Sequence, residues 1–256
     1  MKVTVENVYM NYHTLNAETP ALKDINFQVE EGEFLSIIGP SGCGKSTILN
    51  IISGLISPTS GNIYMDNRKI EEHTNIIGYM FQKDHLFPWL TLWDNVCLGL
   101  KIQNKMNPES IKYIEDLLKK YELWDFKNHY PSQLSGGMRQ RVALIRTLAL
   151  NPKILLLDEP FSALDYQTRL NISDEIHEII KRENKTTIMV THDISEAISM
   201  SNRIILLTPR PATINKNIKI EFDPKYNTPL KKREAPNFSI YFNLLWKELN
   251  NYGKIQ

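Results

Sequence analysis

The chain has 256 residues, enough for one large domain or a core carrying an inserted subdomain. A net charge of +1 excludes attachment to nucleic acid or to an acidic partner through bulk charge. Two cysteines, Cys43 and Cys97, exclude a disulfide scaffold and point to a reducing, cytosolic compartment. The first residues alternate like a strand, not like a secretory signal. No apolar run approaches the ~20 residues of a bilayer-spanning helix, so any membrane role is expected through a partner or an exposed patch.

In chain order, Val3 and Val5 alternate with polar residues, and so do Ile25, Phe27 and Val29. Residues 2–36 are therefore read as strands and turns. Tyr12 falls in the expected turn region, where its ring can stack on a purine or simply pack. Phe34-Leu35-Ser36-Ile37-Ile38 is a short buried strand. Gly39-Pro40-Ser41-Gly42-Cys43-Gly44-Lys45-Ser46-Thr47 follows and fits the pattern G-x-x-x-x-G-K-[ST] at every fixed position. Ile48, Leu49, Ile51, Ile52 and Leu55 then recur at helical spacing.

That nonapeptide is suited to phosphate. Its glycines let backbone N–H groups turn inward around an anion with no Cβ in the way. The helix expected to start near Lys45 aims its positive dipole end at the same place. Lys45 supplies charge to the β- and γ-phosphates of a nucleotide, and the Ser46 hydroxyl is placed to ligate Mg²⁺.

Pro58-Thr59-Ser60-Gly61 marks a turn, Asn62 to Met65 a strand, and Asp66-Asn67 a second turn. Ile76 to Phe81 is a second buried strand, ending at Gln82. An aromatic-rich loop follows, from Leu86-Phe87-Pro88-Trp89 to Trp93. Ile111, Ile114, Leu117, Leu118 and Tyr121 recur with helical period, so residues 83–150 read as a mostly helical insert. Ile154 to Leu157 is an apolar strand ending in Asp158 and Glu159. A helix with Ile172, Ile176, Ile179 and Ile180 on one face comes next, then the strand Thr187 to Val190, ending at Thr191-His192-Asp193. A short helix over Ser195–Met200 leads to an expected last strand, Arg203 to Leu207. The strand–helix alternation implies a largely parallel sheet covered by helices. From about residue 216 the chain is polar and proline-dotted, closing in an amphipathic helix over Ile240–Leu249.

In open parallel sheets, ligands bind beyond the C-terminal ends of the strands. Asp158 there can hold Mg²⁺, and Glu159 can act on an attacking water. Gln82 can ligate Mg²⁺ or orient that water, and His192 can hydrogen-bond the γ-phosphate. Taken singly, each is also compatible with an ordinary loop residue. Ser135-Gly136-Gly137 opens a further helix and makes a second anion site, a hydroxyl and glycine N–H groups at a helix N-terminus. One nucleotide does not easily need two such sites on one chain. Two chains head to tail can share two nucleotides.

With these motifs the sequence resembles the ATP-binding subunits of ABC transporters, over nearly its whole length. The phosphate loop is Gly39 to Thr47, the glutamine loop is at Gln82, and the signature is Leu134 to Gln140. The second nucleotide motif is Ile154 to Glu159, the D-loop is Ser162-Ala163-Leu164-Asp165, and the switch histidine is His192. Leu86-Phe87-Pro88-Trp89-Leu90-Thr91 and Thr208-Pro209-Arg210-Pro211 resemble the importer branch for nitrate, sulfonates, taurine and related small molecules. So does the tail with Pro236-Asn237-Phe238, and the chain is shorter than importer ATPases bearing a long regulatory barrel.

The resemblance implies an α/β fold, a P-loop NTPase (RecA-like) core with an N-terminal antiparallel β subdomain and an inserted α-helical signature subdomain. Residues 1–82 and 151–215 are the expected core, 83–150 the helical subdomain, and 216–256 a tail and helix. The implied cofactors are ATP and Mg²⁺. The implied partners are a second ATP-binding subunit, two integral membrane permease subunits and an extracytoplasmic substrate-binding protein, with no nucleic acid. The implied place is the cytoplasmic face of the membrane. A soluble ABC-type ATPase, or a nucleotide-binding scaffold, is the alternative.

Overall fold

Period-two patterning builds the first sheet. In this computed structural model, which describes residues 2–14, 17–66, 68–70 and 76–253, β1 (Val3–Thr14) and β2 (Ala17–Val29) pair antiparallel. The chain then forms the central strand β3 (Phe34–Ile38) and helix α1 (Lys45–Ile52). It returns as β4 (Ser60–Met65), on the other edge of β1, and the short β5 (Arg68–Lys69). The order of this sheet is β2-β1-β4-β5. Asn67 of the expected turn lies outside the described residues.

The second sheet grows from continuous apolar runs. It contains β3, β6 (Ile77–Met80), β7 (Ile154–Asp158), β8 (Thr186–Val190), β9 (Arg203–Leu207) and β10 (Ile214–Lys219), in the order β10-β9-β3-β8-β7-β6. All pairs are parallel except β10 with β9. Every residue of β3 and β8 is buried, as a parallel sheet covered on both faces requires. Successive side chains of β7 point to opposite faces. Ile154 and Leu156 pack with α1 and the antiparallel sheet, whereas Leu155 and Leu157 join the helical core.

That helical core comes from α2 (Leu92–Ile102), α3 (Pro108–Lys120), α4 (Gly136–Leu148) and α5 (Tyr166–Arg182). Between β6 and β7 all longer elements are helices, as the sequence pattern leads one to expect. Thr91, Asn107, Ser135 and Asp165 cap α2 to α5, each accepting from a backbone N–H three residues on. After α6 (Ile194–Met200), α7 (Pro229–Arg233) and α8 (Phe238–Gly253) complete the chain. Leu245 of α8 is fully buried against Ile38, Ile198 and Leu206.

Three local expectations are corrected. Tyr12 lies within β1, paired with Thr19, not in a turn. Register shifts between Val5 and Asn11 break the alternation there and disguise the strand. Leu55 is not on the α1 stripe: the helix ends at Ile52, Gly54 follows at φ 75°, and Leu55 is exposed. The strand Arg203–Leu207 is not the last. The polar β10 follows it at the sheet edge, where lysines guard an open strand and leave no apolar run to read.

One half-buried group makes stability pH-dependent. His177 of α5 stacks near Phe34, with ring centroids 6.3 Å apart. Burial, then the charges of Lys232 and Lys181, hold its imidazole down to about 3 from 6.5. The folded state therefore keeps it neutral while the unfolded chain takes up a proton below 6.5. Stability is full above that value and falls as the pH drops toward 3. At about pH 5 the cost is about 2 kcal/mol. Urea unfolding should show this loss in the wild type and its absence in His177→Gln. Equal pH dependence in both chains would contradict it.

Candidate functional site

The turn after β3 is shaped by its glycines. Gly42 and Gly44 take φ 73° and 121°, in the region that disfavours a side chain. At Gly44 a Cβ would also meet Leu22 Cδ2 at 2.8 Å. Lys45 is buried and donates to the Gly39 and Pro40 carbonyls, both at 3.0 Å. Ser41, Gly42 and Gly44 to Thr47 line a cleft of about 570 Å³. Gly39, Pro40 and Cys43 lie outside its lining. The first two hold Lys45, and the Cys43 thiol is buried, which pushes its pKa up against the pull of Lys45. Tyr12 presents a partly exposed ring at this end, its hydroxyl 3.1 Å from Thr47 Oγ1.

Three neighbouring strands end here. Ser46 Oγ donates to Asp158 Oδ1 at 3.0 Å, and the Tyr79 hydroxyl donates to Oδ2 at 3.3 Å. Burial raises the Asp158 pKa, and these two donors oppose it. Glu159 has φ 46°, an uncommon conformation for this residue that costs energy and clusters at functional sites. Its N–H donates to Val190 O at 2.9 Å, which ties the end of β7 to β8. Its Oε2 accepts from Gln82 Nε2 at 3.3 Å and lies 3.1 Å from His192 Nδ1. Gln82, Glu159 and His192 all line the phosphate cleft.

The site fits a nucleotide triphosphate and a hard cation. Lys45, the inward-turning loop and the α1 N-terminus offer positive charge and N–H groups to phosphate. Ser46 and Asp158 place a hydroxyl and a carboxylate oxygen in contact, the oxygen donors Mg²⁺ takes alongside substrate phosphates. Among the described residues, no three His, Cys, Asp or Glu side chains cluster to hold a metal unaided.

Ser135, Gly136 and Gly137 do not line this cleft. Ser135 Oγ accepts from Met138 N at 3.2 Å and caps α4. Gly137 has a packing reason as well: a Cβ there would meet Ile172 Cδ1 at 2.7 Å. Sequence reasoning missed two residues of the site. Tyr79 braces Asp158, and the exposed Arg210 lines the cleft. Two bonds pin the Arg210 loop to β2, Ala212 N to Ala21 O and Lys23 N to Ala212 O, both 2.9 Å. Arg210 follows the buried strand β9 just as Gln82 and His192 follow theirs, and that placement is the signal that finds it.

A phosphate loop at a strand–helix junction, with two acids at the end of the strand one place beyond its neighbour β8, defines a nucleoside triphosphatase of the phosphate-loop class. The model of the ABC transporter family matches residues 22–162, and the chain belongs to that family. It is 46% identical over 252 residues to the ABC transporter ATP-binding protein YtlC of Bacillus subtilis, covering 98% of this chain and 97% of that one. It is 41% identical over 219 residues to an aliphatic sulfonates import ATP-binding protein of Bacillus cereus, covering 86% of each. A bacterial ABC transporter cassette solved as a dimer superposes with a TM-score of 0.73 at 41% identity, over 86% of this chain and all of that one. The chain is therefore an ATP-binding ATPase subunit of the ABC type.

Proposed function

We propose that this chain powers an importer for a small solute, an anion of the nitrate, sulfonate or taurine type or a related small molecule. In this reading it is a peripheral subunit at the cytoplasmic face, a homodimer beneath two membrane permease subunits that receive solute from an extracytoplasmic binding protein. No described helix is long and apolar enough to cross a membrane, so passage belongs to the permeases. The sulfonate-import relative supports the solute class.

Lys45 and the loop N–H groups bind the phosphates, and the Tyr12 ring takes the purine. Mg²⁺ would be held by Ser46 and Asp158, with Gln82 as third ligand, and would neutralise charge on the phosphates. Glu159 accepts the proton of the attacking water. His192 hydrogen-bonds the γ-phosphate while its contact with Glu159 fixes the acid's orientation. Ser135, Gly136 and Gly137 of one chain cap the nucleotide of the other.

The observation that carries coupling is an apolar groove of about 570 Å³ beside Gln82. Tyr79, Phe81, Phe87, Leu98 and Ile102 line it. Leu86 is 8% exposed and belongs to the core, whereas Phe87 is 37% and Trp89 69% exposed. The two aromatic rings touch, with centroids 5.2 Å apart. Such rings are costly in water and are typical anchors of an interface. The groove suits a short amphipathic helix of a permease. Trp89→Ala should leave melting temperature and ATP affinity unchanged and weaken co-purification with the permease at least about tenfold. Normal assembly and transport in that variant would overturn the docking role.

A further inference from the structure

A cavity of about 780 Å³ opens at the N-terminal edge of the parallel sheet, where β3 and β9 begin and α5 ends. Its floor is apolar: Phe34, Ile180 and Ile220 line it and are buried. Asn202 stitches that floor together. Its side chain accepts from Phe34 N at 2.9 Å, and its carbonyl accepts from Ile220 N at 2.8 Å. The rings of His177 and Phe222 stand in the walls. Tyr241 of α8 backs Phe222 edge-on, with centroids 5.8 Å apart. The tail that forms the outer wall is tied down as well. Asn237 Nδ2 donates to Glu221 O and Leu230 N to Asp174 Oδ1, both at 2.7 Å. A fixed concavity of this size, apolar below with polar groups converging above, is the form of a small-molecule site.

Four lysines and two carboxylates line the cavity, and both carboxylates are already spent. Glu221 pairs with Lys219 at 2.6 Å and Asp223 with Lys225 at 3.7 Å. Lys185 donates to Asn151 Oδ1 at 2.8 Å. Among the described residues, Lys181 and Lys232 form no ion pair. Lys232 is half-buried, its Nζ 5.9 Å from the centre of the Phe222 ring. Burial, then Lys181, pushes its pKa down to about 8, with Asp174 opposing. The same two lysines help to hold His177 neutral. Positive charge thus gathers over an apolar floor without a counter-ion of its own, and such an arrangement in a cleft marks a ligand site.

We propose that this cavity is a second ligand site of the chain, taking a small organic anion with an apolar body. The anionic head lies between Lys181 and Lys232, and the body rests on Phe34, Ile220 and Phe222. An inorganic anion would meet the lysines and leave the floor wet. A neutral ring would cover the floor and leave the two cations unpaired. An organic anion satisfies both. Phe34 opens β3, and the phosphate loop follows its last residue, Ile38, so the strand separates the two sites and nucleotide and anion bind together.

The test is calorimetric titration of naphthalene-2-sulfonate and naphthalene-2-carboxylate into the full chain, with saturating ADP to fill the phosphate loop. Each should bind once per chain with a Kd below about 1 mM. The neutral 2-naphthylmethanol and inorganic sulfate should bind at least about tenfold more weakly. Lys232→Met and Lys181→Met should each weaken the naphthalene anions about tenfold, the loss of one charge-assisted contact. Lys181 is exposed, so Lys181→Met tests the head site without disturbing packing. Ile102→Ala, in the apolar groove beside Gln82, should leave the affinity unchanged. Absence of saturable binding, equal affinity for the neutral alcohol, full affinity in both lysine variants, or a loss in Ile102→Ala would overturn the proposal.

Discussion

Replacing Glu159 with glutamine should cut ATP turnover a hundredfold or more, about the contribution of a positioned general base. The substitution changes little else. Glutamine matches glutamate in size, and its amide oxygen can still accept from Gln82, which now donates to Oε2 at 3.3 Å. The left-handed backbone at this position, φ 46°, strains both residues alike. The phosphate loop, Ser46 and Asp158 are untouched, so the variant should bind Mg-ATP as the wild type does and keep its melting temperature. What it loses is the negative charge that draws the proton from water. With nucleotide bound but not cleaved, the variant should accumulate as a closed dimer, visible by size-exclusion chromatography with ATP and absent with ADP. Turnover near the wild-type rate would mean that another group activates the water. Asp158 is poorly placed for that, since Ser46 and Tyr79 already occupy its two oxygens.

The parts of this site that the sequence made legible share one property. Gln82, Glu159 and His192 each stand just beyond a short apolar run, and such runs in alternation with helices predict parallel strands ending on a common edge. The structure brings all three side chains to the cleft because β6, β7 and β8 are neighbours. The helical motifs were legible for a second reason. Ser135 and Asp165 are N-caps, and caps leave a local signature before each apolar stripe. The parts that were not legible depend on which segments pair or pack, not on a local pattern. Tyr12 sits in a bulged strand paired across a tight hairpin, and β10 is a mostly polar edge strand with no apolar run. The ion pair between Arg169 and Glu196 joins α5 to α6, and nothing in the spacing of two helices foretells which charged residues will be buried together.

Mixing two inactive variants should restore activity if the nucleotide site is shared. Ser135 caps α4 in its own chain, and neither it nor Gly136 or Gly137 lines the cleft around Lys45. If these groups serve a nucleotide, it is one held by another chain, and a related cassette is itself a dimer. Lys45→Ala removes a charged phosphate contact worth about 1.5–3 kcal/mol in binding, and a homodimer of that variant has two damaged sites. Ser135→Arg puts a bulky cation where the opposite nucleotide would lie, and it also gives up an N-cap worth about 1 kcal/mol. Its melting temperature should therefore fall slightly while nucleotide binding to the monomer survives. Each variant alone should be inactive. In the mixed dimer, the intact Lys45 of one chain faces the intact Ser135 of the other, so one site is whole and its twin carries both lesions. With random pairing of equal amounts, half the dimers are mixed and each has one good site of two, giving about a quarter of wild-type turnover where sites act independently. A signal well above either parent, proportional to the mixed dimer recovered through two different affinity tags, is the expected result. Mixed dimers that form and stay inactive, or wild-type chains fully active as dilute monomers, would show that Ser135 serves no nucleotide across the interface.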